Sequence, residues 1–396
     1  MISKLLLSSA LSFSLLSALS VDELVKSSFE NNYDLRSLEK SILVAQEQIN
    51  VSKNWENPML SFKTNNIKFN KPLSNQKEYG VELSQVIPLG NRLELEENIA
   101  QKEKNIKVYE LEDKKLELES KVYQYAYSIV ILEKRYKLLE NYLKNLDKSK
   151  ELYSSLYKVE KASLNDVLNA NVSYLDLKLE LENLKNMIDN MYLSLEDITY
   201  RKIDSVEEKI EIKELTRNQI DENLSTHPKI KALEENSLKY QNMAHLEDSK
   251  RLSSVTLSVE YMQNSEQDYA NVTIGIPLPI YKTENTNSLK AKLSANENSD
   301  KLDNVTHSIS IQIDTYLNNL NRSAKNYNLI QKELIPLKKK IQKNMENYNS
   351  FDSAKPYENL TALNELITYE TKALDELQKY YDSYSQLQYL TNKGIK

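Results

Sequence analysis

The chain has 396 residues but only 4 Gly and 8 Pro, too few to punctuate the two or three ordinary domains that such a length would hold. Charged residues make up 28% of it and Leu, Lys, Glu and Asn dominate, a signature of long helices. The net charge of -6 argues against a nucleic-acid surface, and the lack of Cys excludes a disulfide framework, a thiolate metal site and a cysteine-borne lipid anchor.

Residues 1–20 read as a secretory signal peptide. Lys4 supplies the positive start, Leu5 to Leu16 an apolar core, and Ala18-Leu19-Ser20 a small-residue cleavage site. No other stretch has the roughly 18 uncharged apolar residues of a spanning helix, so a membrane crossing has to use strands. Val21 to about Lys53 reads as one helix that stops before Asn57-Pro58, because the residue before Pro disfavours the helical region.

A second helix begins after Pro88-Leu-Gly-Asn-Arg92 and runs to about Tyr157, on the order of 100 Å long. Its later half keeps a helical apolar spacing through Ile129, Leu132, Tyr136, Leu139, Tyr142, Leu146, Tyr153 and Tyr157. The next helix, about Asn165 to Arg201, does the same through Leu181, Leu184, Ile188, Met191, Leu195 and Ile198. Such seams suit a coiled coil or a bundle core, and helices this long must pack along similar helices. A further helix opens at His227-Pro228, with Thr226 or Ser225 near its cap. Another runs from about Glu284 to Glu346, where Pro336 should kink or break it. Asn349 to Lys355 reads as a turn, and the last helix spans about Tyr357 to Leu390.

Between the helices lie four short segments that alternate apolar and polar residues. Leu60 and Phe62 oppose Ser61 and Lys63; Val81 and Leu83 oppose Glu82 and Ser84. Val255, Leu257 and Val259 oppose Thr256, Ser258 and Glu260; Val272, Ile274 and Ile276 oppose Asn271, Thr273 and Gly275. Period two gives each strand one apolar and one polar face. Asn65 to Lys77 and Gln263 to Asp268 read as hairpin loops. In one reading each hairpin lays its apolar face on a helix of a soluble domain. In the other that face meets lipid and the polar face lines water. Four strands do not close a barrel, and open edges are not tolerated in lipid, so a membrane barrel requires several chains. Three chains would give twelve strands and two would give eight.

The arrangement occurs twice, with a period of about 190 residues that is far too long for a solenoid. Asn32-Tyr-Asp-Leu-Arg-Ser-Leu-Glu answers His227-Pro-Lys-Ile-Lys-Ala-Leu-Glu, and each flank leads to a strand pair and then to two helices. Residues 21–210 form the first copy and 211–396 the second.

This order resembles the TolC-type outer-membrane efflux protein family, over nearly all of the chain after the leader. The markers are Glu56-Asn-Pro-Met-Leu before the first strand, Ser84-Gln-Val-Ile-Pro-Leu-Gly-Asn-Arg92 after the second, and Val159-Glu-Lys-Ala-Ser-Leu-Asn-Asp-Val-Leu-Asn-Ala170. The last resembles the family's helical turn V-G-x-x-x-x-x-D-V-x-x-A, with Glu160 where the family usually has Gly. The short loops and overall length look most like the branch serving heavy-metal pumps.

The resemblance implies a mostly α chain with membrane β strands. It further implies a homotrimer that forms one twelve-stranded β-barrel and an α-helical periplasmic tunnel. It implies a lipid-facing set of Leu60, Phe62, Val81, Leu83, Val255, Leu257, Val259, Val272, Ile274 and Ile276. It places Val159, Glu160, Lys161, Ala162, Ser163 and Asp166 in one turn, and Asp352, Lys355 and Glu358 in a second. Both turns would meet a periplasmic adaptor (membrane fusion) protein, and through it an inner-membrane efflux pump.

No catalytic or cofactor motif is present. His227, His245 and His307 lie far apart, and the acid-rich runs Glu94 to Glu97 and Glu110 to Glu119 interleave with Lys as solvated helix faces do. The chain therefore reads as a passive exit duct rather than an enzyme, with no cofactor and no metal. The alternative is a periplasmic coiled-coil structural or adhesion protein with hairpins packed on its helices.

Overall fold

The computed structural model describes residues 19–65, 67, 69–70, 72, 78–220, 224–250, 254–349 and 355–392. In chain order these form α1 (Val21–Asn31), α2 (Tyr33–Ser52), β1 (Met59–Asn65), β2 (Glu78–Pro88), α3 (Arg92–Lys158) and α4 (Leu164–Thr199). There follow α5 (Pro228–Ser249), β3 (Ser254–Asn264), β4 (Tyr269–Gly275), α6 (Thr283–Leu329), α7 (Ile335–Asn349) and α8 (Pro356–Thr391). Two compact units result, each drawing on both sequence copies. A helical unit holds α1, α3 from Lys115, α4, α6 from Ile311, α7 and α8; a sheet unit holds α2, α3 to Lys114, the four strands, α5 and α6 to Ser310.

The helical unit is built on the seams. Leu139, Leu146 and Tyr153 of α3, Leu177, Leu181 and Leu184 of α4, Ile335 of α7 and Leu360, Leu363 and Leu366 of α8 form one buried cluster. A second cluster joins Leu24 of α1, Val122 and Ile129 of α3, Leu195 of α4, and Ile203 and Val206 of the segment after α4. Tyrosines sit in these seams because each buried hydroxyl finds a partner. The Tyr142 hydroxyl donates to Glu370 at 2.6 Å, and the Tyr153 hydroxyl accepts from Asn359 at 3.1 Å. Tyr157, read as part of the seam, is instead exposed near the end of α3.

The extended segment after α4 is tied down by the same chemistry. The Tyr381 hydroxyl accepts from the Glu211 amide at 2.8 Å and donates to the Glu211 carbonyl at 2.9 Å. The Tyr380 hydroxyl does the same for Lys213, at 3.1 and 3.0 Å. Each side chain thus stands in for a strand partner.

Three boundaries differ from the sequence reading. The first helix is two helices: Asn32 is extended, with φ -70° and ψ 122°, because Asn competes for backbone partners and stops helices readily. The α5 cap is His227 itself, whose Nδ1 accepts from the Lys229 amide at 3.2 Å, rather than Thr226 or Ser225. Pro336 does not break the long helix. A five-residue π-helical turn, Ile330–Leu334, precedes it and absorbs the missing N–H.

In the sheet unit the two hairpins join into one antiparallel sheet of order β1-β2-β3-β4. The central pairing, β2 with β3, unites the copies, with Leu83 opposite Val259 and Ser84 opposite Ser258. β1 and β4 are left as edges. The β3–β4 loop is Ser265 to Asp268, shorter than the reading that began it at Gln263, because Gln263 and Asn264 remain in β3. Most of the Asn65 to Lys77 loop and the leader up to Ala18 lie outside the described residues. β4 stops at Gly275, so Ile276 lies just past the strand; it precedes Pro277, which has no N–H to continue a ladder. No described helix is long and apolar enough to cross a membrane.

Candidate functional site

The register decides which strand residues share a face. Leu60, Leu83, Val259 and Val272 are successive cross-strand neighbours, and Phe62, Val81 and Tyr261 form the adjacent row. Leu257 pairs with Ile274, and Val255 with Ile87. The four separately alternating segments therefore make one continuous apolar face. That face is open: Phe62 is 82% exposed and Val272 69%. Leu60, Val81, Leu83, Leu257, Val259, Ile274 and Ile276 are exposed as well, and Val255 is half-buried.

The opposite face is sheltered on the two central strands, whereas Lys63, Asn271 and Thr273 of the edge strands are exposed. Ser84 and Ser258 are buried, and Met262 is fully so. Gly80 faces Met262 across the ladder, and a Cβ there would collide with the Tyr261 carbonyl oxygen of the neighbouring strand, so only Gly fits. Glu82 and Glu260 are direct cross-strand neighbours, a repulsive pair on its own. Lys63 reaches both carboxylates, lying 3.3 Å from Glu260, while Asn271 donates to Glu260 at 2.9 Å. A hairpin laid on a helix would bury its apolar side and expose its polar side. In this sheet the apolar side is exposed and the middle of the polar side is sheltered, contrary to the helix-packed alternative.

Two of the quoted markers meet in the sheet unit. Arg92, at the start of α3, pairs with Glu56 at 3.4 Å, and Gln85 donates to the Glu56 carbonyl at 2.9 Å. Gly90 turns the chain into α3 with a φ of +63°. The acidic runs act structurally: Glu96 pairs with Arg92, Glu97 with Lys53, Glu110 with Lys107 and Glu117 with Lys121.

In the helical unit, the turn between α3 and α4 is set by backbone geometry. The Lys161 amide donates to the Leu156 carbonyl at 2.9 Å, and the Glu160 amide to that of Tyr157 at 3.1 Å. With Glu160 at a φ of +57°, this is the Schellman ending in which Gly is preferred at that position. The family's Gly therefore has a physical reason, and Glu160 holds a left-handed conformation unfavourable to a side chain. Ser163 caps α4, accepting from the Asp166 amide at 3.2 Å while Asp166 accepts from the Ser163 amide at 2.8 Å. Val159, Glu160 and Lys161 are exposed and Ala162 is half-buried.

The start of α8 lies at the same end of this bundle. Asn359 contacts Tyr153 near the end of α3, and Asn364 donates to Ser173 of α4 at 3.2 Å. Lys355 and Glu358 are exposed and paired at 2.9 Å. Asp352 lies outside the described residues.

One surface escaped the sequence reading. Leu164, Leu168, Val172, Leu175 and Leu179 are all exposed along α4, on a face distinct from the buried Leu177, Leu181 and Leu184. Their spacing of four, four, three and four is a second seam on one helix, and it was available in the sequence. Among the described residues, no group of three or more His, Asp or Glu side chains is placed to hold a metal ion.

The fold is shared with solved outer-membrane channels. The CmeC outer membrane channel of Campylobacter jejuni superposes with a TM-score of 0.77 at 15% identity, over 95% of this chain and 86% of that one. The outer membrane protein VceC of Vibrio cholerae gives 0.79 at 13%, over 95% and 97%. The open state of the Neisseria gonorrhoeae MtrE outer membrane channel gives 0.78 at 15%, over 95% and 89%. At these identities the likeness establishes the fold. No curated protein matches the chain by sequence. Residues 24–199, a little under half of the chain, match the family model described as outer membrane efflux protein.

Proposed function

We propose that this chain is the outer-membrane exit duct of a tripartite efflux system, passing solutes delivered by an inner-membrane pump through a periplasmic adaptor. The observation that carries the reading is the sheet with its apolar face exposed, the middle of its polar face sheltered, and two unpaired edges among the described residues. In lipid such edges must be closed, and three copies of a four-stranded sheet close a twelve-stranded barrel. The exposed α4 seam supports assembly too, since five apolar residues in register suit a neighbouring helix.

On this reading the exposed strand residues from Leu60 to Ile274 face lipid, with Ile276 at the rim. The helices form the periplasmic part of the duct. The leader is removed on export, and residues 21–210 and 211–396 are the two structural repeats of each subunit. The turn carrying Val159 to Asp166 and the one carrying Lys355 and Glu358 meet the adaptor. Ser163 and Asp166 serve there mainly as a helix cap, which leaves Val159, Glu160 and Lys161 as the contact surface. Transport is passive, so no catalytic group is required.

The test is native mass measurement of the detergent-solubilised protein, followed by planar-bilayer conductance. Trimers that form discrete channels are expected. A monodisperse monomer with intact strand signal, or a trimer that never conducts, contradicts the proposal.

A further inference from the structure

Within the helical unit, residues of α3, α4 and α8 line a half-open cavity of about 360 Å³ that the duct reading does not use. Its walls are mostly apolar, with Leu132 from α3, Met187 and Met191 from α4 and Leu374 from α8. At one end Arg135 is already neutralised twice, by Asp375 at 2.8 Å and Glu180 at 2.9 Å. At the other end is Asp382, two turns further along α8 from Asp375 on the same face.

Asp382 has no cationic partner among the described residues. It accepts from the amides of Gln378 at 3.0 Å and Gln124 at 3.5 Å. Burial lifts its carboxyl above the ordinary carboxylate range. Gln378 spends its amide N–H groups on Asp382 and on Ser128 at 2.7 Å, and its own oxygen is buried without a hydrogen-bond partner. A carboxylate without a counter-cation therefore lines an apolar cavity, and the buried, unsatisfied oxygen of Gln378 lies on a residue of the same lining. Both states are costly unless a donor fills them. The complementary ligand carries several N–H donors and a positive charge on an apolar body.

We propose that this cavity binds small amphipathic organic cations, with a primary ammonium between Asp382 and Gln378 and the apolar body against Leu132, Met187 and Met191. The cavity lies within one chain, so the claim stands independently of the trimer.

The experiment is calorimetric titration of the purified oligomer in detergent with 4-phenylbutylammonium, the neutral 4-phenylbutanol and the anionic 4-phenylbutyrate. The ammonium is expected to bind saturably, at least about tenfold tighter than the alcohol, with no binding of the carboxylate. Asp382→Asn should bring the ammonium down to the level of the alcohol. It should melt no lower than the unaltered protein, because it removes an uncompensated buried charge. Equal affinities for ammonium and alcohol, no saturable binding, or undiminished ammonium binding by Asp382→Asn would overturn the proposal. The ligand series on the unaltered protein decides the matter even if the variant does not assemble.

Discussion

The sheet and the helical bundle use the same apolar residue types in opposite ways. In the bundle, Leu139, Leu146 and Leu195 are buried. In the sheet, Phe62, Val259 and Val272 face out, and Ser84, Ser258 and Met262 are sheltered. Neither arrangement is irregular; each suits a different surrounding medium. A face that would be an aggregation hazard in water is an ordinary exterior in hydrocarbon. On the proposed duct reading, the contrast corresponds to water around the bundle and lipid around the sheet.

The largest expected effect breaks the contrast on the bundle side. Leu139→Ala should cost about 2–5 kcal/mol, because the lost methyl groups leave a cavity among packed helices. Val272→Ala on the outward sheet face should cost well under half of that, since lipid fills the gap. Denaturant unfolding of the purified protein compares the two, and equal losses would mean that Val272 is packed.

On the sheet side, Leu257→Arg should cost roughly 2–4 kcal/mol near the bilayer midplane, and Ser258→Arg much less. Quantifying assembled protein in outer membranes reads this out. Comparable assembly of both variants would remove the sidedness.

Smaller effects belong to the α3–α4 turn. Ser163→Ala should lower stability by about 1 kcal/mol through the lost cap. Glu160→Gly should raise it by up to about 1 kcal/mol, because the left-handed position no longer strains a side chain, less the entropy Gly loses on folding. Thermal unfolding of both variants checks the signs, and a destabilising Glu160→Gly would mean that the Glu160 side chain makes a compensating contact. Smallest in stability, within about 0.5 kcal/mol, is Glu160→Lys together with Glu358→Lys on exposed positions. If the turns meet an adaptor, substrate resistance of cells should still fall sharply at unchanged trimer level. Unchanged resistance would argue that neither turn carries a critical charged contact.

What the sequence made legible followed from local period. Alternation in Leu60 to Lys63 or Val272 to Gly275 needs no knowledge of the partner strand, and the absence of Pro and Gly between Arg92 and Lys158 marks one long helix. What stayed hidden depends on geometry that sequence spacing does not carry. The pairing of β2 with β3 joins residues far apart along the chain. The stop at Asn32 turns on one residue's backbone, and the π-helical turn before Pro336 on how a chain absorbs one missing donor. Glu160 was visible as a departure, but its meaning came only with its positive φ. The second α4 seam was there to be read, and the stronger buried seam drew attention from it. The Tyr380 and Tyr381 hydroxyls left only an unusual richness in tyrosine, 26 against 5 Phe.

The central claim is that the apolar sheet face meets lipid and the polar face does not. The chain has no Cys, so single cysteines report cleanly. Bimane attached at Phe62→Cys, Leu83→Cys, Val259→Cys and Val272→Cys, and at their neighbours Ser61→Cys, Ser84→Cys, Ser258→Cys and Thr273→Cys, would be tested in vesicles containing acyl-brominated lipid. The account predicts quenching that alternates along every strand, strong in the first set and weak in the second. Uniform quenching across both sets, or strong quenching only in the second, would contradict it.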